Sequence, residues 1–442
     1  MALFSRKPRP GSGPKTVVLG LDGVPFGMLR ELCRQGITPA LARIIDSGRL
    51  SAMQAPIPEI SSVSWTTFLT GENPGGHGIF GFVDLAPGSY KMVFPNFSQV
   101  RAETVTDALA RMGKRSVLLN VPSTYPARPL EGAMVSGFVA VDLARSVYPA
   151  PHLAFMQKAG YRVDVETTRA RNDPDFLFAD LAATLAAREA ALDYLWDAEA
   201  WDLFCVVVTG TDRLLHYQYA AWEDENHPRR ADFLDYFRKV DAFAGRIYDR
   251  FAALPAVKQG LGCFFALSDH GFCGARCEVR INRWLAHQGY LTFAKDDPKS
   301  IMDIGQGSRA FALDPCRIHI NRAGKYPLGC VSEQDAPALR KEIAEALAAL
   351  TAPDGEKVFR KVLVKEDLYS GPYADRAPDI AAVAMPGFDV KGRVAGSEVF
   401  LPSELSGMHT QDDAFFFDGR GKELSHIQEA KERILSVFRE GN

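Results

Sequence analysis

Five short runs of the chain are almost continuously apolar and rich in β-branched residues. They are Lys15–Gly23 (KTVVLGLDG), Arg115–Val121 (RSVLLNV), Met134–Val139, Asp202–Val208 (DLFCVVV) and Cys263–Leu267 (CFFAL). Runs of this length without polar alternation predict strands buried on both faces. The segments between them carry helical spacing. Phe26–Gly36 and Thr38–Gly48 each end at a Gly, Pro174–Trp196 has a long Ala/Leu period, and Asp212–Ala221 and Arg229–Leu254 follow the fourth run. Strands alternating with helices predict an α/β fold, with a largely parallel central sheet sandwiched by helices.

Residues 276–400 have a different texture. A short helix is predicted at Ile281–Gln288, a strand-like piece at Arg317–Asn321 and a helix at Glu333–Leu350, followed by Pro/Gly-rich turns. This stretch is expected to form an inserted accessory or cap lobe, joined by 85–100 and 140–175. The core is then 15–275 together with 401–442, and the Pro/Gly/Lys-rich residues 1–14 are expected to be a disordered arm. A length of 442 residues accommodates this plan.

Charge narrows the partners. The net charge is -3, so no positive field exists to hold a nucleic acid polymer. A small anion is still allowed where bound cations supply local charge. The N-terminus lacks an apolar segment of secretory type, and no run approaches the roughly 18 apolar residues of a membrane span. The expectation is a cytoplasmic protein of undefined oligomeric state. Seven scattered cysteines fit a reducing compartment. Cys273 and Cys277 lie close together, but no second pair completes a zinc site of four ligands.

Three clusters capable of chemistry fall where predicted strands end. Asp22 closes the first strand. Asp212 and His216 follow the DLFCVVV strand, and their i,i+4 spacing puts them on one helix face. Asp269-His270 follow CFFAL, and Gly271 is expected to permit the turn that lets both reach one ion. A lone Asp-His pair is more often a satisfied surface turn. Three clusters at the carboxyl ends of buried strands coincide with where sites lie in open α/β sheets. Mixed carboxylate and imidazole donors suit zinc, manganese or iron. A fourth element, Pro58–Phe82, is rich in hydroxyls and then in glycines. Its predicted helix is Ser64–Thr70, with Ser61 and Ser62 at the N-terminal end, where the helix field favours an alkoxide or an anion. An isolated Ser-Ser there would by default only cap the helix.

These residues together resemble the alkaline phosphatase superfamily, in its branch of type I phosphodiesterases and nucleotide pyrophosphatases. The resemblance rests on Asp22, on the stretch Thr70-Gly71-Glu72-Asn73-Pro74-Gly75-Gly76-His77-Gly78-Ile79, on Asp212-x-x-x-His216, on Asp269-His270-Gly271, on His409 in SGMHT, and on Asn282–Leu291 (NRWLAHQGYL). It spans roughly residues 15–418 in order. Counting back nine residues from Thr70 places the family's nucleophile on Ser61, with Ser62 its competitor.

The resemblance implies a phosphoric ester hydrolase with two divalent metal ions, zinc first and manganese or iron as alternatives. It implies one ion held by Asp212, His216 and His409, and another by Asp22, Asp269 and His270 with Ser61 bridging towards it. Catalysis would pass through a phospho-Ser61 intermediate. Ser62 and Ser64 are the candidate substrate-binding hydroxyls, and the backbone N–H of Ser62 is a candidate oxyanion donor. His77 is implied to be structural. Two positions depart from the family. The Asn expected 21 residues after the nucleophile is Phe82, which cannot donate a hydrogen bond, and the Asn expected three residues after it is Ser64. The x-Pro-x-Arg that sulfatases need after the nucleophile is missing, and no G-x-S-x-G elbow of a Ser-His-Asp esterase is present. Among small-molecule substrates, phosphodiesters are slightly favoured over monoesters. A phosphomonoesterase or phosphomutase is the alternative within the superfamily, and a non-catalytic binding protein on the same scaffold is the alternative outside it.

Overall fold

The computed structural model describes residues 13–440. Most of the expected N-terminal arm lies outside the described residues, while Pro14 at its end is buried. The main sheet has eight strands, in the order Arg49–Met53, Ala414–Asp418, Gly262–Leu267, Lys15–Leu21, Leu203–Val208, Ser116–Leu119, Gly132–Val135 and Val147–Tyr148. The five strands from Gly262–Leu267 to Gly132–Val135 run parallel, and antiparallel strands flank them on both edges.

Burial on both faces explains the unbroken apolar runs. Val17, Leu19 and Leu21 face one hydrophobic cluster, with helices Phe26–Arg34, Pro174–Ala198 and Arg230–Ala252. Val18, one residue out of phase, faces a second cluster with helices Ser61–Thr70, Val105–Arg111 and Ala430–Glu440. Successive side chains of a strand point to opposite faces, so neither face tolerates a polar residue.

Two local expectations are corrected. The helix in the Ser-rich element starts at Ser61 and not at Ser64, so Ser61 and Ser62 form its first turn. The predicted Asp212–Ala221 helix runs Gly210–Gln218, and a separate turn follows at Ala220–Glu223.

Within 276–400, a four-stranded antiparallel sheet lies in the order Ala310–Leu313, Arg317–Ile320, Ile380–Ala384 and Phe359–Val364. It packs with helix Ala336–Ala348 around its own cluster, which includes Phe311, Ile318, Ile343 and Val358. Two of these strands fall where the sequence suggested only turns. FRKVLV interleaves charge with apolar residues at a sheet edge, and IAAVA is short and Ala-rich, so neither gives a strong strand signal. The segments expected to join the cap divide between the two bodies. Tyr90 packs with this lobe, whereas Phe97, Val100, Met156, Tyr161 and Val165 pack against the main sheet. No helix among the described residues is long and apolar enough to cross a membrane.

Candidate metal-binding and catalytic site

Strands Gly262–Leu267, Lys15–Leu21 and Leu203–Val208 are parallel neighbours, so their carboxyl ends share one edge. The residues just beyond those ends are Asp269-His270, Asp22, and Asp212 in the first turn of the Gly210–Gln218 helix. The antiparallel pairing of Gly271–Gly274 with Gly407–Thr410 sets Phe272 opposite His409 and brings that imidazole to the edge. The chain bends at Asp269-His270, as expected, although Gly271 itself is not left-handed. Its need for glycine is a close approach, because a Cβ there would lie 2.5 Å from Thr410 Oγ1.

All seven anticipated residues meet in this place. Ser61 Oγ is 3.3 Å from Asp22 Oδ1 and 3.2 Å from His270 Nε2. His409 Nε2 is 3.2 Å from Asp212 Oδ1 and 3.0 Å from His216 Nε2. Two triads have ligand atoms within 4.8 Å of one another, Asp212/His270/His409 and Asp22/Asp269/His270. His270 belongs to both. His216 approaches through His409 and through Asp212, 3.5 Å away.

The three imidazoles are oriented by backbone carbonyls. His270 Nδ1 faces Gly271 O at 3.1 Å, His409 Nδ1 faces Glu59 O at 2.9 Å, and His216 Nδ1 faces Gly407 O at 3.2 Å. A carbonyl can only accept, so each Nδ1 carries the proton and each Nε2 turns a lone pair inward. This tautomer arrangement is the one found behind metal-ligating histidines.

The carboxylates are held in the same way. Asp22 Oδ2 accepts from Trp65 Nε1 at 3.0 Å. Asp269 Oδ1 accepts from the Gly23 N–H at 3.1 Å, and its Oδ2 is buried with no hydrogen-bond partner. Asp212 Oδ2 accepts from Arg213 Nη1 at 2.8 Å, and Arg213 is itself anchored by Asp164 at 2.7 Å. Thr211 Oγ1 donates to the Asp22 carbonyl at 2.6 Å and ties the two clusters together.

Charge is unbalanced here. Burial, with Asp269 and Asp212 nearby, pushes Asp22 well above the ordinary carboxylate range. Burial, with Asp212, raises Asp269 to about 6. Burial holds His216 and His270 down at about 3. For Asp212 burial acts upward, but His216, His409 and Arg213 outweigh it and keep it low. For His409 burial acts downward, and the Asp212 carboxylate outweighs it. Three carboxylates and three inward lone pairs, one buried oxygen without a donor, and two Nε2 atoms 3.0 Å apart form a donor set that lacks positive charge. Divalent cations would supply it, and the mixed O/N set fits zinc, manganese or iron.

The remaining candidates fall into place around this centre. Neither the Ser61 nor the Ser62 N–H meets an acceptor among the described residues, as befits the open first turn of a helix. Ser62 and Ser64 are buried, and neither Oγ has a partner. His77 is buried between Thr67 Oγ1 and the Ile79 N–H, a structural setting. Phe82 stacks on Phe138 and meets Phe94 edge-on. His152, His227, His319 and His426 pack or cap elsewhere, and all seven cysteines are free. A cavity of about 430 Å³ opens beside the centre, with Glu59, Ile60, Phe82, His216 and His409 on one side. Residues of 299–317 and 382–394 line the other side.

Sequence reasoning did not single out Trp65, Thr211, Arg213, Asp164 or Glu59. Arg213 stands next to Asp212, where helical spacing sends side chains apart, and its partner Asp164 is 49 positions away. Only the fold brings them together.

The family described as Type I phosphodiesterase / nucleotide pyrophosphatase matches the chain over residues 16–412. Solved structures share the fold at low identity. Phosphonoacetate hydrolase from Sinorhizobium meliloti 1021, in complex with phosphonoformate, aligns at 16% identity and TM-score 0.60, covering 99% of this chain and 98% of that one. Murine ectonucleotide pyrophosphatase / phosphodiesterase 5 aligns at 15% and 0.56, covering 96% and 95%. Wild-type alkaline phosphatase PafA aligns at 13% and 0.58, covering 97% and 96%. The architecture is thus alkaline-phosphatase-like. No curated protein sequence matches the chain.

Proposed function

The chain belongs to the type I phosphodiesterase / nucleotide pyrophosphatase family and is a phosphoric ester hydrolase, and from this we propose that it hydrolyses small phosphodiesters with Ser61 as nucleophile and two divalent metal ions, zinc foremost, as cofactors. The observation that carries the reading is the convergence of Asp22, Asp212, Asp269 and three inward-facing Nε2 atoms around the Ser61 hydroxyl.

In this reading Asp212, His216 and His409 hold one cation, and Asp22, Asp269 and His270 hold the other. Bound there, divalent cations would lower the pKa of the Ser61 hydroxyl and would offset charge on the phosphoryl oxygens. The chain's own groups do the rest. Ser61 Oγ, 3.3 Å from Asp22 Oδ1, loses its proton to solvent and attacks phosphorus in line with the leaving alkoxide, which takes a proton from water and departs as the alcohol. The free Ser61 and Ser62 N–H groups of the helix N-terminus face the anion that develops. Arg213 keeps Asp212 in its ligating orientation. The Nδ1 hydrogen bonds fix each imidazole. Water then cleaves phospho-Ser61, releasing phosphate monoester and restoring the hydroxyl.

Residues 276–400 would act as the cap that decides specificity, because they supply one wall of the cavity. Phe82, in an aromatic group with Phe94 and Phe138, offers an apolar surface and no hydrogen bond to the phosphoryl group. The test is the rate on bis-p-nitrophenyl phosphate and on p-nitrophenyl phosphate with added zinc or manganese. Metal-dependent cleavage with the diester faster is expected. Cleavage of neither, nor of a wider ester panel, refutes the proposal, and a faster monoester would assign the chain to the phosphomonoesterases.

A further inference from the structure

Arg317 stands in the cavity wall, is 1% exposed, and makes no ion pair among the described residues. Its Nε donates to the Asp314 carbonyl at 2.6 Å and its Nη2 to the Val83 carbonyl at 2.6 Å. Its Nη1 is buried without a partner. Carbonyl oxygens satisfy N–H groups but do not neutralise a charge. An arginine does not escape the cost by deprotonating, and a buried ion without a counter-ion is expensive to keep. Burial accordingly pushes its pKa down, and Asp84 and Asp314 act against this only through space.

The guanidinium is also built into place. Gly81 lies against it, and a Cβ at that position would come within 2.4 Å of Arg317 Cζ. Other cations of the cavity wall already have carboxylates. Lys391 pairs with Asp389 at 2.8 Å, Arg393 with Glu404 at 3.0 Å, and Lys299 with Asp297. Arg317 lines the same cavity that His216 and His409 border, and its Nη1, packed beside Gly81, is a donor without a partner. Glu59, whose Oε2 likewise has no partner, lies at the His409 side.

We propose that Arg317 is a specificity residue: the cavity receives the organic group carried by the phosphorus, and Arg317 binds an anionic substituent on that group, a carboxylate or a second phosphoryl. The proposal rests on the hydrolase reading of the adjoining centre and deepens it from phosphodiesters in general to esters with an acidic organic half. A volume of about 430 Å³ lies in the range of small-molecule sites.

Binding tests it independently of turnover. Calorimetry on the zinc-loaded protein compares 3-phosphonopropionate, its uncharged carboxamide, and a bisphosphonate of the same length. The carboxylate or the bisphosphonate should bind at least about tenfold more tightly than the carboxamide, and the stronger of the two identifies the substituent. Arg317→Met should collapse that ratio towards one, with Arg317→Lys intermediate because it keeps charge and loses the fork. Equal affinity of wild type for all three overturns the proposal, and needs no variant to fold. The matching p-nitrophenyl diesters, carrying 2-carboxyethyl or 2-carbamoylethyl groups, then report turnover. Discrimination in KM supports the same role. Selective binding without any hydrolysis would fault the hydrolase reading and leave Arg317's role standing.

Discussion

Replacing Asp269 by Asn should stabilise the metal-free protein and destroy its response to metal. Asp269 has zero exposure, and in its triad the ligand atoms of Asp22, Asp269 and His270 lie within 4.8 Å of one another. Two full negative charges at that separation repel by about 3.5 kcal/mol at an effective dielectric of about 20. A proton shared between Asp22 and Asp269 dilutes this to about 1–2 kcal/mol near pH 8. The Asn side chain is isosteric. Its oxygen can keep the Gly23 N–H, and its amide can offer a donor to His270 Nε2, which Asp269 Oδ2 now faces acceptor to acceptor at 3.4 Å. Near the midpoint, about 2.1 cal/mol/K per residue makes 1 kcal/mol worth about 1 °C in a chain of 442 residues. The metal-free variant should therefore melt about 1–2 °C above wild type in EDTA. Metal at a hundredfold its Kd should stabilise wild type by about 2.7 kcal/mol per site, and most of that gain should vanish in the variant. Differential scanning fluorimetry in EDTA and in zinc or manganese measures both. A variant that melts lower without metal, yet gains as much from metal as wild type does, would refute the charge-imbalance argument.

Other perturbations probe separate parts of the site. Trp65→Phe removes the donor to Asp22 Oδ2 and should cost about 1.5–3 kcal/mol in denaturant titrations, with weaker metal uptake. Arg213→Met frees both Asp164 and Asp212 and should lower metal affinity about 10–100-fold in competition with a chromophoric chelator. Stability should fall on acidification from pH 7 towards pH 5. Burial holds His77 at about 3, and His216 and His270 lie similarly low. Each stays neutral when folded and takes up a proton when unfolded below about 6.5, so its contribution is present above that value and is lost as pH falls towards 3. His77→Gln should flatten the profile in part, and an unchanged slope would count against this cause.

The chemistry was legible where it depends on the ends of buried strands. Asp22, Asp212 and Asp269-His270 follow three parallel neighbours, and apolar runs announce such strands in a sequence. The i,i+4 pair Asp212/His216 was legible from helical periodicity. Ser61 was located by its distance from Thr70, and it stands at the first position of its helix, nearer the centre than the predicted helix start implied. What orients the ligands was hidden. The carbonyls of Glu59, Gly271 and Gly407 carry no side-chain signal, and the Arg213–Asp164 pair exists only through tertiary packing. The sheet within 276–400 was only partly visible, because edge strands with mixed charge lack a clean period. Arg317 looked like any strand residue until its burial and its unpartnered nitrogen could be seen.

The central claim is that Ser61 carries the phosphoryl group. Acid quenching during turnover of bis-p-nitrophenyl phosphate by the zinc- or manganese-loaded protein, followed by peptide mass spectrometry, addresses it directly. One added phosphoryl-ester group on Ser61 is predicted, absent in Ser61→Ala, with kcat lowered by several orders of magnitude and metal content unchanged. A modification on Ser62, or full turnover by Ser61→Ala, would contradict the account.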